Sequence, residues 1–345
     1  MTAATTAVAV LILILAAAYL GLLVWGTFHA GGVGWIAVVL GWLAVLAMRP
    51  RRRRLPPTLR ILDPIEFPGL HGLVRQMADA LGVAAPRALG VDLSLAAYLR
   101  RQGVRGTSAM VVGLPLMTLL PWESRLGVIG HQLGQLCWSD SGHGRLIDAA
   151  RSIIRRLHEI FVPWDDDGSA RPSESAGSFE GIGGLLAGAV ELVVTAPFLI
   201  LSIVLERMDV GGRLHRECLA DRRSAEIVGT EALETFLLCD VEGVLVTTAA
   251  AARRGEDPFV SLRDRYVLTD PQTAVRRAAR QSKEQSAHAS HPSSDLRARL
   301  LAIHPLPRSD AMPPEAVCRA AEKELERLRH ARATEYATLL RHGLA

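Results

Sequence analysis

No aspartate, glutamate, lysine or arginine occurs between Met1 and Met48, and a stretch so apolar does not stay in water by itself. Cysteine is scarce and scattered. Cys137, Cys218, Cys239 and Cys318 form no C-x-x-C pair, which argues against a disulfide scaffold and fits buried free thiols in a reducing compartment. Net charge is small as well. Lys+Arg 39 against Asp+Glu 35 leaves +4, and with Arg49, Arg51, Arg52, Arg53 and Arg54 set aside the balance is 34 against 35. The basic character is one local patch, so a general nucleic-acid binder is excluded. No internal repeat is present. Asp165, Asp166 and Asp167 lack the alternating spacing of a calcium loop and read as solvated.

What is present is 345 residues, 49% hydrophobic and 21% charged: enough chain for a sizeable core, too apolar for disorder or for a wholly soluble globule. The uncharged stretch 1–48 is long enough for two spans and predicts a transmembrane hairpin, the first span over Val8–Trp25, a turn at His29, Gly31 and Gly32, and a shorter second span to Met48. It lacks the positive n-region of a cleaved signal and is expected to persist. Residues 49–57 form a basic juxtamembrane linker. By the positive-inside rule its arginines place the N-terminus and the main domain in the cytoplasm, where they also suit anionic lipid headgroups.

Beyond the linker, residues 58–312 read as one domain and 313–345 as a charged C-terminal helix. Helices are expected over 67–81, 121–138, 213–228, 231–252 and 314–340, and strands over 88–93 and 109–114 with a turn-rich stretch at 100–108 between them. Residues 147–161 read as a surface helix, 164–180 as a polar loop, and 255–292 as mostly loop with a helix near Ala274. The fold class is mostly α with a small β-sheet, plus the N-terminal hairpin. Gly181–Leu205 is a second apolar stretch long enough to span, but it carries Glu191 and Pro197, and a carboxylate in the bilayer is costly.

The helix over 121–138 carries the chemistry. His131 and Gln135 stand four residues apart, on one face and one turn apart, in the run His131-Gln132-Leu133-Gly134-Gln135. That is the spacing of H-E-x-x-H, in which two imidazoles hold zinc and the glutamate takes a proton from bound water.

Taken with its surroundings, the sequence resembles the HtpX-type membrane zinc metallopeptidases, relatives of the CAAX prenyl endopeptidases. Val112-Gly113-Leu114 resembles that family's strand leading into the metal helix, and Asp140 follows His131 by nine residues. Glu217-Cys218-Leu219-Ala220-Asp221 resembles the E-x-x-A-D segment, and His291-Pro292 with Arg297 resembles the late His-Pro…Arg segment. The resemblance implies a zincin-like fold. It implies His131, the position of Gln135 and Glu217 as metal positions, Asp221 as the residue orienting a metal-binding histidine, and His291 and Arg297 beside the reacting centre. It also argues against a single crossing by 181–205, which would separate His131 from Glu217 by a bilayer; a membrane-associated or buried helix is expected instead.

The departures fall on the chemistry. Gln132 stands where the family has its base, and an amide lacks the basicity for that proton transfer. Gln135 replaces the second imidazole, and Ala96-Ala97-Tyr98 stands where the family often has Asn-Ala-Phe on its edge strand. His158-Glu159 begins a decoy motif whose fifth position is Val162; His143, His288 and His291 lie in segments able to fold back as substitute ligands. The expectation is a membrane-anchored pseudopeptidase that binds no zinc, with lipid and a protein or peptide segment as partners. The alternatives are an active zinc endopeptidase with altered ligands, acting on membrane or misfolded proteins, and an assembly scaffold using the terminal helix.

Overall fold

The computed structural model describes the backbone of residues 2–29, 31–32, 34–35, 38–39, 41–42, 58–102, 107–139, 150, 212, 214–266 and 293–343. The arginine run, Asp140, His143, residues 147–149 and 151–161, the stretch 181–205, the helix expected near Ala274, His288 and His291 lie outside the described residues. The chain divides into two compact units, one of residues 1–54 with 139–212 and one of residues 55–138 with 213–345.

In the first unit, α1 (Thr2–His29) is a single uninterrupted helix. Leu22, Trp25 and Phe28 are exposed along it. Its segment Thr6–His29, 24 residues, is the one described helix long and apolar enough to cross a membrane; at 1.5 Å per residue it measures roughly 36 Å against a hydrocarbon core of about 30 Å. After a turn at Gly32, whose φ of 54° suits glycine, the chain packs back on α1. A Cβ on Gly26 would lie 3.0 Å from the Val38 side chain, and one on Gly41 would collide with Leu23.

The second unit is mostly helical with one small mixed sheet. The strands β1 (Arg60–Leu62), β2 (Ala88–Asp92), β3 (Ala97–Gln102) and β4 (Thr107–Gly113) lie in the order β1-β2-β4-β3. β2 and β4 are parallel, with Val91 opposite Val112; the outer pairings are antiparallel. The central pair is apolar on both faces, and Val91, Met110 and Val111 are fully buried. β3 crosses into the stretch expected to be turn-rich. It is the sheet's edge, and its Arg100, Arg101 and Gln102 hide the strand pattern because charge suits an edge.

Helix α2 (Pro68–Leu81) begins with proline in its first turn, where no N–H is needed, and ends at Gly82 with φ 66°, the left-handed cap that glycine adopts at least cost. Its Leu70, Leu73, Val74 and Met77 stripe is buried. The last helix, α10 (Glu315–His342), packs against it and belongs to the same core through Leu325, Leu328 and Tyr336. Glu324 of α10 accepts from the backbone N–H of Gly69 and of Leu70, both at 2.7 Å. A carboxylate at a helix N-terminus satisfies free donors and meets the positive end of the helix dipole.

Between them run α3 (Leu114–Leu119), α4 (Trp122–Ser139), α5 (214–228), α6 (Thr230–Leu237), α7 (Val241–Arg253), α8 (Pro258–Tyr266) and α9 (Ser294–Ala302). The stretch expected as one helix over 231–252 is two. The break falls at Cys239–Asp240, where the Asp240 side chain accepts from Gly243 N–H and caps the second. α8 lies where a loop was expected. Its nine residues are too few to show a period, and it is held by Phe259 stacked on Tyr336 at 5.1 Å between ring centres.

Candidate functional site

The site lies wholly in the second unit, where α4 and α5 meet through small residues. A Cβ added at Gly134 would sit 3.0 Å from the backbone of Ala220, and one at Gly130 2.6 Å from Ser224 Oγ. Ser224 Oγ donates to the carbonyl of Gly127 at 2.8 Å. With no side chain at Gly130 and Gly134, the helices approach closely, and residues beside this seam are pressed together.

His131, 3% exposed, sits beside the seam. Its Nδ1 lies 2.8 Å from Asp221 Oδ1 and its Nε2 lies 3.2 Å from Glu217 Oε2. Arg297, from α9, donates twice to Asp221, from Nε at 2.8 Å and from Nη2 at 2.6 Å; Nη2 is also 3.5 Å from Glu217 and 3.3 Å from His131 Nδ1. Gln135 Nε2 is 3.1 Å from His131 Nε2 and donates to Glu217 Oε1 at 3.4 Å. Five residues from three helices therefore share one buried cluster: His131, Gln135, Glu217, Asp221 and Arg297. Gln132 points elsewhere. Its Nε2 donates to the carbonyl of Ala97 on β3 at 3.0 Å, while its buried Oε1 has no hydrogen-bond partner. His291 lies outside the described residues.

Electrostatics follow from the geometry. Burial opposes charge on His131, yet hydrogen bonds to Asp221 and Glu217 raise its pKa above the ordinary 6.5. Burial likewise works against charge on the two carboxylates; hydrogen bonding to His131, and to Arg297 in the case of Asp221, holds both below the usual range. Arg297, buried but facing both carboxylates, is raised. The thiol of Cys218 beside them is pushed up by burial and by the neighbouring Asp221.

Among the described residues the donor set falls short of a zinc site. A structural or catalytic zinc takes at least three imidazole, thiolate or carboxylate ligands; here one imidazole and one carboxylate face each other, and the third neighbour is a neutral amide. An amide is a neutral, weak partner for zinc beside an imidazole, thiolate or carboxylate. Among the described residues no group of three or more His, Cys, Asp or Glu is arranged to hold a metal ion.

Sequence reasoning did not find the Gly130–Gly134 seam, although the spacing of Gly127, Gly130 and Gly134 was visible, nor the bond from Gln132 to Ala97. Comparison with protein-family models, with curated proteins and with solved structures returns no match.

Proposed function

We propose that this protein is a membrane-anchored, catalytically impaired relative of the HtpX-type zinc metallopeptidases, with a zincin-like fold, which acts by binding a protein or peptide segment rather than cutting it. The observation that carries the reading is the convergence on His131 of Glu217 at 3.2 Å and Asp221 at 2.8 Å. The resemblance pairs those segments although they stand more than eighty residues apart, and Arg297 joins them as the late arginine would. Impairment follows from Gln132, which is not a base, and from Gln135, a neutral amide where the family has an imidazole ligand. The N-terminal stretch anchors the chain as a hairpin, and the second unit faces the cytoplasm, with the arginine run against anionic lipid. Neither zinc nor nucleic acid is part of this function.

Elemental analysis of the detergent-solubilised full chain, with a casein-cleavage assay, tests the reading. Far less than one zinc per chain and no chelator-sensitive cleavage are expected. Stoichiometric zinc lost in His131→Ala, together with cleavage that a chelator abolishes, would overturn it in favour of an active enzyme with altered ligands.

A further inference from the structure

We infer that Gln132 and Gln135 are the working parts of a metal-independent clamp, in which two amide donors join α4 to β3 and to α5 where a peptidase would keep a base and a ligand. The inference rests on the pseudopeptidase reading and goes further, because it assigns these side chains a positive role.

Gln135 supplies the first joint. Its Nε2 stands between His131 Nε2 and Glu217 Oε1, at 3.1 and 3.4 Å. The bond to Glu217 is the one that ties α4 to α5, an N–H donated to a carboxylate oxygen. Charge balance needs no added cation at Asp221, because the Arg297 guanidinium meets that carboxylate through two parallel hydrogen bonds, the arrangement in which arginine binds carboxylates most strongly. Arg297 also draws α9 into the joint.

Gln132 supplies the second. Gly113 N–H donates to Ala96 O at 2.8 Å, and Ala97 is paired with Val112. Ladder alternation then turns the Ala97 carbonyl away from β4, toward the outer side of the edge strand. Gln132 Nε2 takes that carbonyl at 3.0 Å. A glutamate there would set carboxylate against carbonyl; only the amide makes this bond. Gln132 is 6% exposed, so the tie is shielded from competing water.

The test is thermal unfolding of the full chain in detergent, with and without a chelator or added zinc, for the parent, Gln135→Met, Gln132→Met, Glu217→Gln and the pair Gln135→Met/Glu217→Gln. Methionine keeps the length and removes the donor. The clamp requires a parent Tm that neither chelator nor zinc moves, a Tm lower by roughly 3–6 °C in each methionine variant, and a double variant that loses clearly less than the two single losses added. If metal leaves the parent unmoved but both methionine variants match it, or the double loss is additive, the clamp is wrong while the pseudopeptidase reading stands. A parent Tm raised by zinc and lowered by chelator overturns both.

Discussion

His131 Nδ1 lies 2.8 Å from Asp221 Oδ1 across a seam where α4 and α5 meet through Gly130 and Gly134. The hydrogen bond aims the ring's other nitrogen at Glu217, and the glycines make the approach possible. In a zinc enzyme a carboxylate behind an imidazole fixes tautomer and orientation. Here the same geometry orders a cluster of ion pairs.

The seam predicts that bulk at Gly134 is costly. Gly134→Val brings branched carbon against the Ala220 backbone, already 3.0 Å from where a Cβ would stand, and should destabilise the protein by about 1–3 kcal/mol. Chemical denaturation checks this, with Gly72→Val as the control, since a Cβ at Gly72 meets nothing. Equal losses at the two sites would leave the seam without special importance.

The cluster also predicts a pH profile. Asp221 and Glu217 are held below their ordinary 3.8 and 4.5, so their contribution is present above that range and is lost only as pH falls through the lower folded values. His131 is raised above 6.5, so its contribution is complete below 6.5 and fades as pH rises through the raised value. Melting temperatures from about pH 3 to about pH 9 should therefore decline on the alkaline side in the parent. His131→Leu should remove that decline, and its persistence in the variant would assign it to another group.

Elsewhere in this unit, Glu324 holds two backbone donors of α2 at 2.7 Å. Glu324→Ala leaves both N–H groups unpaired, that of Leu70 buried and that of Gly69 partly buried, and should cost about 2–3 kcal/mol. Guanidinium unfolding measures it; a loss no larger than that at the exposed Glu315 would show that the cap contributes little.

Restoring ligands should restore metal. Gln135→His puts a second imidazole one turn from His131 and removes the amide donor facing Glu217, so zinc uptake near one per chain is expected, beginning before any activity appears. Adding Gln132→Glu supplies a base, and chelator-sensitive casein cleavage in the double variant is the further expected result. A folded Gln135→His protein that takes up no zinc contradicts the family reading of this site.

Topology is accessible to labelling in a variant without native cysteines. Ile65 is 90% exposed, and Ile65→Cys and Thr2→Cys should both resist an impermeant thiol reagent in intact cells and react after permeabilisation. Strong labelling of both from outside would reverse the orientation.

The sequence by itself determined the elements whose signals are local. The apolar run that becomes α1 has no charge to interrupt it, and α2 carries its proline start, glycine stop and periodic apolar stripe in consecutive residues. The alignment of His131 with Gln135 follows from helical spacing alone. Pairing with Glu217 and Asp221 came from resemblance, and the distances came from tertiary packing. Local pattern could not reveal β3, whose pairing partner lies on another strand and whose own residues are charged because it is an edge. Nor could it reveal the turn of Gln132 toward Ala97 or of Gln135 toward Glu217. A side chain's hydrogen-bond partner is set by which helices come within reach, and that was decided where Gly130 and Gly134 let α4 and α5 close on each other.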